Sequence, residues 1–186
     1  MSEHSFLNNR VIACVDEITA QKTDAIVNAA NWTLLGGGGV DGAIHARGGE
    51  KILVACQEIL RTKFPDGLPT GEAVITTGGD LPAKYVIHTV GPIYGRNKEK
   101  ESELLANCYR NSLQLAVDNN LTSIAFPSIS TGAFGYPRHE AAQIVSTTMA
   151  EFLRQNSIIQ EVRLVFFQIG DLKTFLKHET FTAHSK

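Results

Sequence analysis

A chain of 186 residues, 43% hydrophobic and 19% charged, has an ordinary globular composition and is long enough to bury a substantial core. A formal net charge of -2 excludes the basic footprint of a tight nucleic-acid binder, and no apolar run reaches membrane-spanning length. The polar start Met1-Ser2-Glu3-His4-Ser5 lacks a secretory apolar core, so the cytoplasm is the expected location.

Residues 1–186 read as one unit, with a core over about 7–177 and a polar, frayed tail over 178–186. Leu7 to Val15, rich in β-branched residues, reads as a first strand, and 24–28 as a second, short and buried on both faces. A glycine-rich loop follows, then a helix from about Gly42 that Gly48-Gly49 interrupts and Ile52, Leu53, Cys56, Ile59 and Leu60 resume on one face. Residues 64–69 form a turn-rich connection, and 73–77 and 85–90 two further strands. His88 lies within the second of these and reads as a satisfied core histidine. A helix bearing Leu104, Leu105, Cys108, Leu115 and Ala116 precedes a fifth strand at 122–126. Pro137 suits the first turn of the next helix; a sixth strand spans 162–168 and a closing helix 171–177. Cys14, Cys56 and Cys108 are odd in number and lie far apart in apolar patterns, so they read as buried thiols with no disulfide framework or metal spacing.

Two loops carry the chemistry. Gly36 to Gly39 strip side chains from a backbone segment that runs into the helix start Ala43-Ile44-His45, so its amides sit near the positive end of a helix dipole and suit phosphate. Asp41 is the one ionisable residue inside that loop, and an acid beside an anion site asks for a chemical reason. The second loop, Pro127 to Pro137, is rich in Ser, Thr and Gly and also follows a strand. Alternating strands and helices give a three-layer α/β/α architecture with ligands at the strands' carboxyl ends, where two amide-lined loops would hold a diphosphate. A flexible linker is the bland alternative, but apolar segments flank the glycines on both sides. Gly37, Gly39 and Gly42 also fit a dinucleotide fingerprint, weakly, because Asn28 to Leu35 separate them from their strand and Glu58 falls in a helical pattern. That alternative is an NAD-dependent oxidoreductase.

The segments 26–31, 36–45, 88–92 and 127–132, four motifs in order, resemble the macrodomain and more closely its MacroD-type hydrolase branch, over about Val11 to Phe175. The resemblance implies a mixed, roughly six-stranded sheet and an ADP-ribose pocket with no cofactor and no metal. It implies that Gly38, Gly39, Val40 and Gly42 wrap the diphosphate together with Ser130, Thr131, Gly132, Ala133 and Phe134. Phe134 is then expected on the distal ribose and Phe167 on adenine, with Glu17 and Ile18 beside the base; Glu17 stands where the family carries aspartate, and Asp16 where it carries glycine. The expected reaction is hydrolysis of an ester between the distal ribose and an acyl group, in O-acetyl-ADP-ribose or in mono-ADP-ribosylated proteins. Asp41 is the candidate to orient or deprotonate water, Asn31 to hold a ribose hydroxyl, and Asn28 to position ribose or loop. Without the resemblance, both asparagines also read as turn formers. A binding module that reads ADP-ribose without turnover is the second functional reading.

Overall fold

The computed structural model describes residues 3–96 and 99–181. Among the described residues there are seven strands: β1 (His4–Phe6), β2 (Val11–Val15), β3 (Ala25–Ala30), β4 (Ala73–Thr77), β5 (Tyr85–Val90), β6 (Ser123–Phe126) and β7 (Glu161–Phe166). Five α-helices accompany them among the described residues: α1 (Gly39–Gly48), α2 (Glu50–Thr62), α3 (Glu101–Asp118), α4 (Arg138–Gln155) and α5 (Ile169–His178). The strands form one sheet in the order β1-β2-β7-β6-β3-β5-β4. The five inner strands are mutually parallel, and each edge strand pairs antiparallel with its neighbour.

The alternation of side chains along the strands builds two cores. Val27, Ile87, Ile124 and Phe126 face one side, against Leu105 and Leu113 of α3, Met149 and Leu153 of α4, and Phe175 of α5. Ile26, Val86, Ala125 and Val165 face the other, against Ile44, Ile52 and Cys56 of α1 and α2. Strands apolar on both faces require helices on both faces, which is the three-layer arrangement expected. Among the described residues no helix is long and apolar enough to cross a membrane.

The structure differs from the sequence reading in four places. The first expected strand begins late, at Val11: Leu7, Asn8 and Asn9 take left-handed φ values of 49°, 57° and 66°, and the turn they form joins β2 to β1, which lies upstream of the expected strand. Asparagine tolerates that region, and three-residue β1 is too short to show periodicity, so the sheet gains a seventh strand. The glycine-loop helix starts three residues early, at Gly39, which puts Asp41 in its first turn. The sixth strand stops at Phe166, so Phe167 lies beyond it. The tail is ordered through Phe181, whose fully buried ring packs 5.0 Å from Phe6 and 6.3 Å from Phe175, while the Thr180 amide donates to Ser146 Oγ at 2.9 Å. Residues 182–186 of the expected tail lie outside the described residues.

The carboxyl ends of β2, β7, β6 and β3, neighbours in the sheet, open on one crevice. β3 feeds the glycine loop and β6 the second loop, as the rule for parallel sheets anticipates.

Candidate functional site

Backbone geometry shapes the first loop. Asn31 follows β3 and braces it: its Nδ2 donates to Gly36 O at 2.9 Å, and its Oδ1 accepts from the amide and hydroxyl of Thr33. Gly36 and Gly39 have φ of 89° and 58°, the left-handed region that glycine enters without a Cβ penalty. A Cβ on Gly38 or Gly39 would meet nothing within 4 Å, so these residues border open space, whereas one on Gly42 would stand 2.4 Å from Gly37 O. Gly42 therefore lets the loop close down on α1. The first N–H groups of α1 have no helical acceptor and point outward with the positive end of its dipole.

Asp41, 4% exposed, sits beneath this loop. A Cβ on Gly37 would lie 3.1 Å from Asp41 Oδ2 and 3.2 Å from Asn31 Nδ2, so bare backbone covers both groups closely. Asn28 Nδ2 donates to Asp41 Oδ1 at 2.7 Å, and Asn31 Nδ2 stands 3.5 Å from Oδ2, at the limit of a hydrogen bond. A carboxylate in a helix's first turn is also favoured by the dipole. These contacts offset the electrostatic cost of an acid next to an anion site.

Below the carboxylate lies a polar stack that the sequence reading missed. Asn28 also reaches His88 Nδ1 at 3.1 Å. With one amide hydrogen directed at Asp41 and the other at His88, Nδ1 must accept, so the histidine proton resides on Nε2. Nε2 then donates to Thr76 Oγ1 at 2.9 Å, and that hydroxyl to Thr77 O at 3.0 Å. Burial, with a smaller contribution from His45, pushes the His88 imidazole down to about 3, so it is neutral. His45, one helical turn after Asp41, places a buried Nε2 3.5 Å from Asp41 Oδ1 with no hydrogen-bond partner. The spacing of four residues carried that signal, whereas Asn28 and His88 become neighbours only through the pairing of β3 with β5.

Potential metal-ligand atoms of His45, Cys56 and His88 lie within 4.8 Å of one another. His88 Nε2 is engaged by Thr76, and Cys56 Sγ lies 3.7 Å from the same nitrogen with its thiol pushed up to about 12 by burial and the charge of Asp41. His88 and Cys56, in contact through Nε2 and Sγ, form the floor under Asp41, with His45 packed beside them.

The second loop depends on a glycine outside it. A Cβ on Gly91, just past β5, would stand 2.1 Å from Ser130 Oγ. Ser130 has a left-handed φ of 64°, accepts from the Tyr136 amide at 2.9 Å and holds a buried hydroxyl with no partner. Thr131 Oγ1 bonds back to Ser128, and Gly132 borders open space.

The two loops enclose a cleft of about 470 Å³, within the range of small-molecule sites. Its walls include Ile18, Asn31, Gly38, Gly39, Val40 and Asp41, then Ser130, Thr131, Gly132, Ala133, Phe134 and Phe167. Phe167, which the resemblance expects on adenine, is 83% exposed and lines the cleft. Three expected residues lie off the wall. Asn28 stands behind Asp41, and Gly42 serves the loop's closure. Glu17 turns away, its carboxylate accepting from Thr19 at 2.7 Å and Arg47 at 3.2 Å, while adjacent Asp16 lines the cleft. The sequence reading also missed Arg138 and Asp171, an ion pair at 2.7 Å on the cleft rim. The dinucleotide alternative finds no support, since eight residues (31–38) separate β3 from α1 and Glu58 lies inside α2.

Comparison with known proteins bears on this geometry. The Macro domain family model matches residues 27–145. A macro domain-containing protein of Chlorobaculum tepidum is 52% identical over 87% of this chain and 90% of its own length. A protein of Klebsiella pneumoniae named O-acetyl-ADP-ribose deacetylase is 52% identical over 81% of this chain and 85% of its own. The macrodomain of Oceanobacillus iheyensis, solved with ADP, superposes with a TM-score of 0.93 at 45% identity, covering 100% of this chain and 97% of that one. That of Trypanosoma brucei, in complex with ADP-ribose, gives a TM-score of 0.80 at 39% identity over 91% of this chain and 68% of the other.

Proposed function

The chain belongs to the macro domain family, and from that premise we propose that it is a hydrolase of ADP-ribose esters. Its substrates are O-acetyl-ADP-ribose and proteins carrying mono-ADP-ribose on acidic side chains. The observation that carries this reading is the buried Asp41 carboxylate, held between Asn28 and Asn31 directly under the glycine backbone. A pocket that only gripped a pyrophosphate has no use for a negative charge there.

In this reading the α1 amides at Gly39 and Val40 and the second loop's backbone hold the diphosphate. Phe134 covers the distal ribose, Phe167 stacks on adenine, and Asn31 fixes a ribose hydroxyl. Asp41 orients a water whose oxygen attacks the acyl carbon. The carbon–oxygen bond to ribose then breaks, and the ribose oxygen leaves with a proton, giving ADP-ribose and a carboxylic acid. Amide donors near the diphosphate and the α1 dipole stabilise developing negative charge. The resemblance of the Klebsiella relative, a named deacetylase, supports the same chemistry.

The test is release of ADP-ribose from O-acetyl-ADP-ribose and from a glutamate-linked peptide, with ADP-ribose affinity measured in parallel. Wild type should release product from both, and Asp41→Ala should bind ADP-ribose while releasing none. Tight binding by wild type with no release from either ester would make the protein a reader and end the hydrolase account.

A further inference from the structure

A second cavity, of about 440 Å³, adjoins the first, and Asn31, Gly91 and Phe134 line both. It opens where Asn31 and Phe134, the residues assigned to the distal ribose, line the cleft, and Phe167 is not among its lining. Its wall presents Trp32, 60% exposed, the residue immediately after the asparagine shared by the two cavities. An indole so exposed is normally free to reorient, but this one is seated. Gly67, with φ of 95°, lies against it so closely that a Cβ there would stand 2.3 Å from Trp32 Cε3. The Leu68 amide donates to Trp32 O at 2.9 Å, tying the 64–69 turn to the same residue. Ile93 gives the cavity a further apolar surface, and Asp66 and Arg96 line it with one charge of each sign.

Resting on the hydrolase reading above, we propose that this cavity receives the polypeptide that carries the ester. The substrate has two halves joined at the ribose. ADP-ribose occupies the first cavity, and Asn31, at the junction, holds the sugar. The acyl half must therefore emerge beside Asn31, where the second cavity begins. An acetyl group, with two carbons, leaves that cavity nearly empty. A peptide fills it: the main chain flanking the modified acid crosses the Asn31 junction, and an apolar side chain next to that acid lies on the Trp32 ring. A fixed aromatic that is open to solvent on one face and backed by protein on the other is the type of anchor that dominates peptide recognition. The 64–69 turn, a mere connection by sequence, thereby becomes the support of a specificity surface. The cavity makes the protein prefer ADP-ribosylated polypeptide over the small acetylated metabolite.

The experiment compares kcat/KM for an ADP-ribosyl-glutamate peptide with that for O-acetyl-ADP-ribose, in wild type, Trp32→Ser and Trp32→Phe. The ratio of peptide to acetyl ester should fall about tenfold in Trp32→Ser, through KM, as expected for loss of an aromatic anchor. Trp32→Phe should restore most of it. Damage to the fold lowers both substrates together and leaves the ratio alone, so a ratio unchanged in Trp32→Ser overturns the inference. Turnover of neither ester by wild type overturns the hydrolase reading instead. The cavity is then decided by calorimetry, where equal affinities for ADP-ribosyl peptide and free ADP-ribose overturn it too, and tighter peptide binding that depends on Trp32 is the expected result.

Discussion

Asn28 reaches from inside the sheet to Asp41, a hydrogen bond of 2.7 Å between two buried side chains 13 positions apart. It fixes one carboxylate oxygen from below and leaves the other facing Asn31 and the loop. Asn28→Ala removes that donor and also deprives His88 Nδ1 of its partner. A hydrogen bond to a charged group contributes about 1.5–3 kcal/mol, so kcat for ester hydrolysis should fall by roughly 10- to 100-fold. Because Asn28 lies off the cleft wall, the calorimetric affinity for ADP-ribose should stay within about twofold of wild type, as for a group that acts in the transition state rather than in binding. A change in affinity as large as that in kcat would show that Asn28 shapes the pocket instead.

The same stack predicts how the fold responds to acid. His88 is held neutral with its imidazole pushed down to about 3, against an ordinary value of 6.5. Below pH 6.5 the unfolded chain binds a proton at His88 that the folded chain refuses until about pH 3, so stability is fully present above 6.5 and is lost progressively as pH falls through that window. For this one group the loss between pH 7 and pH 5 is about 2 kcal/mol. His88→Gln keeps an acceptor and a donor but cannot titrate. Urea unfolding at the two pH values should show a smaller acid penalty in the variant by about that amount. Equal penalties in the two proteins would mean that His88 is solvated in the folded state.

How far the sequence discloses such features depends on the distance over which they are encoded. The glycine loop, the second loop and the alternating elements are local patterns, and the three-layer sheet with its crevice at the strand ends followed from them. The Asn28–His88 contact is encoded by strand order, because residues 60 apart become neighbours only once β3 pairs with β5. The position of Glu17 depends on a different kind of contact. Its motif position matches a binding acid, but Arg47 and Thr19 draw its longer side chain outward and leave Asp16 on the cleft. β1 and the buried Phe181 were invisible because a three-residue strand and a single terminal aromatic carry no period.

Gly91 allows a sharper test of the second loop. A Cβ there would stand 2.1 Å from Ser130 Oγ and 2.7 Å from Ile129 Cγ2, in a region where Ser130 already holds a left-handed φ. Overpacking of this kind typically costs about 1–3 kcal/mol, so Gly91→Ala should lower the urea midpoint and weaken ADP-ribose binding by displacing the loop. Ser130→Gly in the same protein removes the nearer clashing atom and suits the φ of 64°. The double variant should recover part of both losses, the non-additivity expected of residues in contact. Independent, additive effects would place the damage elsewhere.

Phe167 separates binding from stability more cleanly than any residue of the cleft. It lies just past β7, 83% exposed, where solvent covers most of the ring, so the fold gains little from it. Phe167→Ala should therefore change stability by no more than about 0.5 kcal/mol, as surface substitutions do. Stacking of a base on an aromatic ring is worth about 1–3 kcal/mol, so the same variant should weaken ADP-ribose binding by roughly tenfold or more. Ribose 5-phosphate supplies the internal control. It keeps a sugar and a phosphate but has no base, and its affinity should not respond to the variant. If both ligands weaken equally, Phe167 is closing the cleft as a wall, and the adenine must be sought beside Asp16 and the Arg138–Asp171 pair instead.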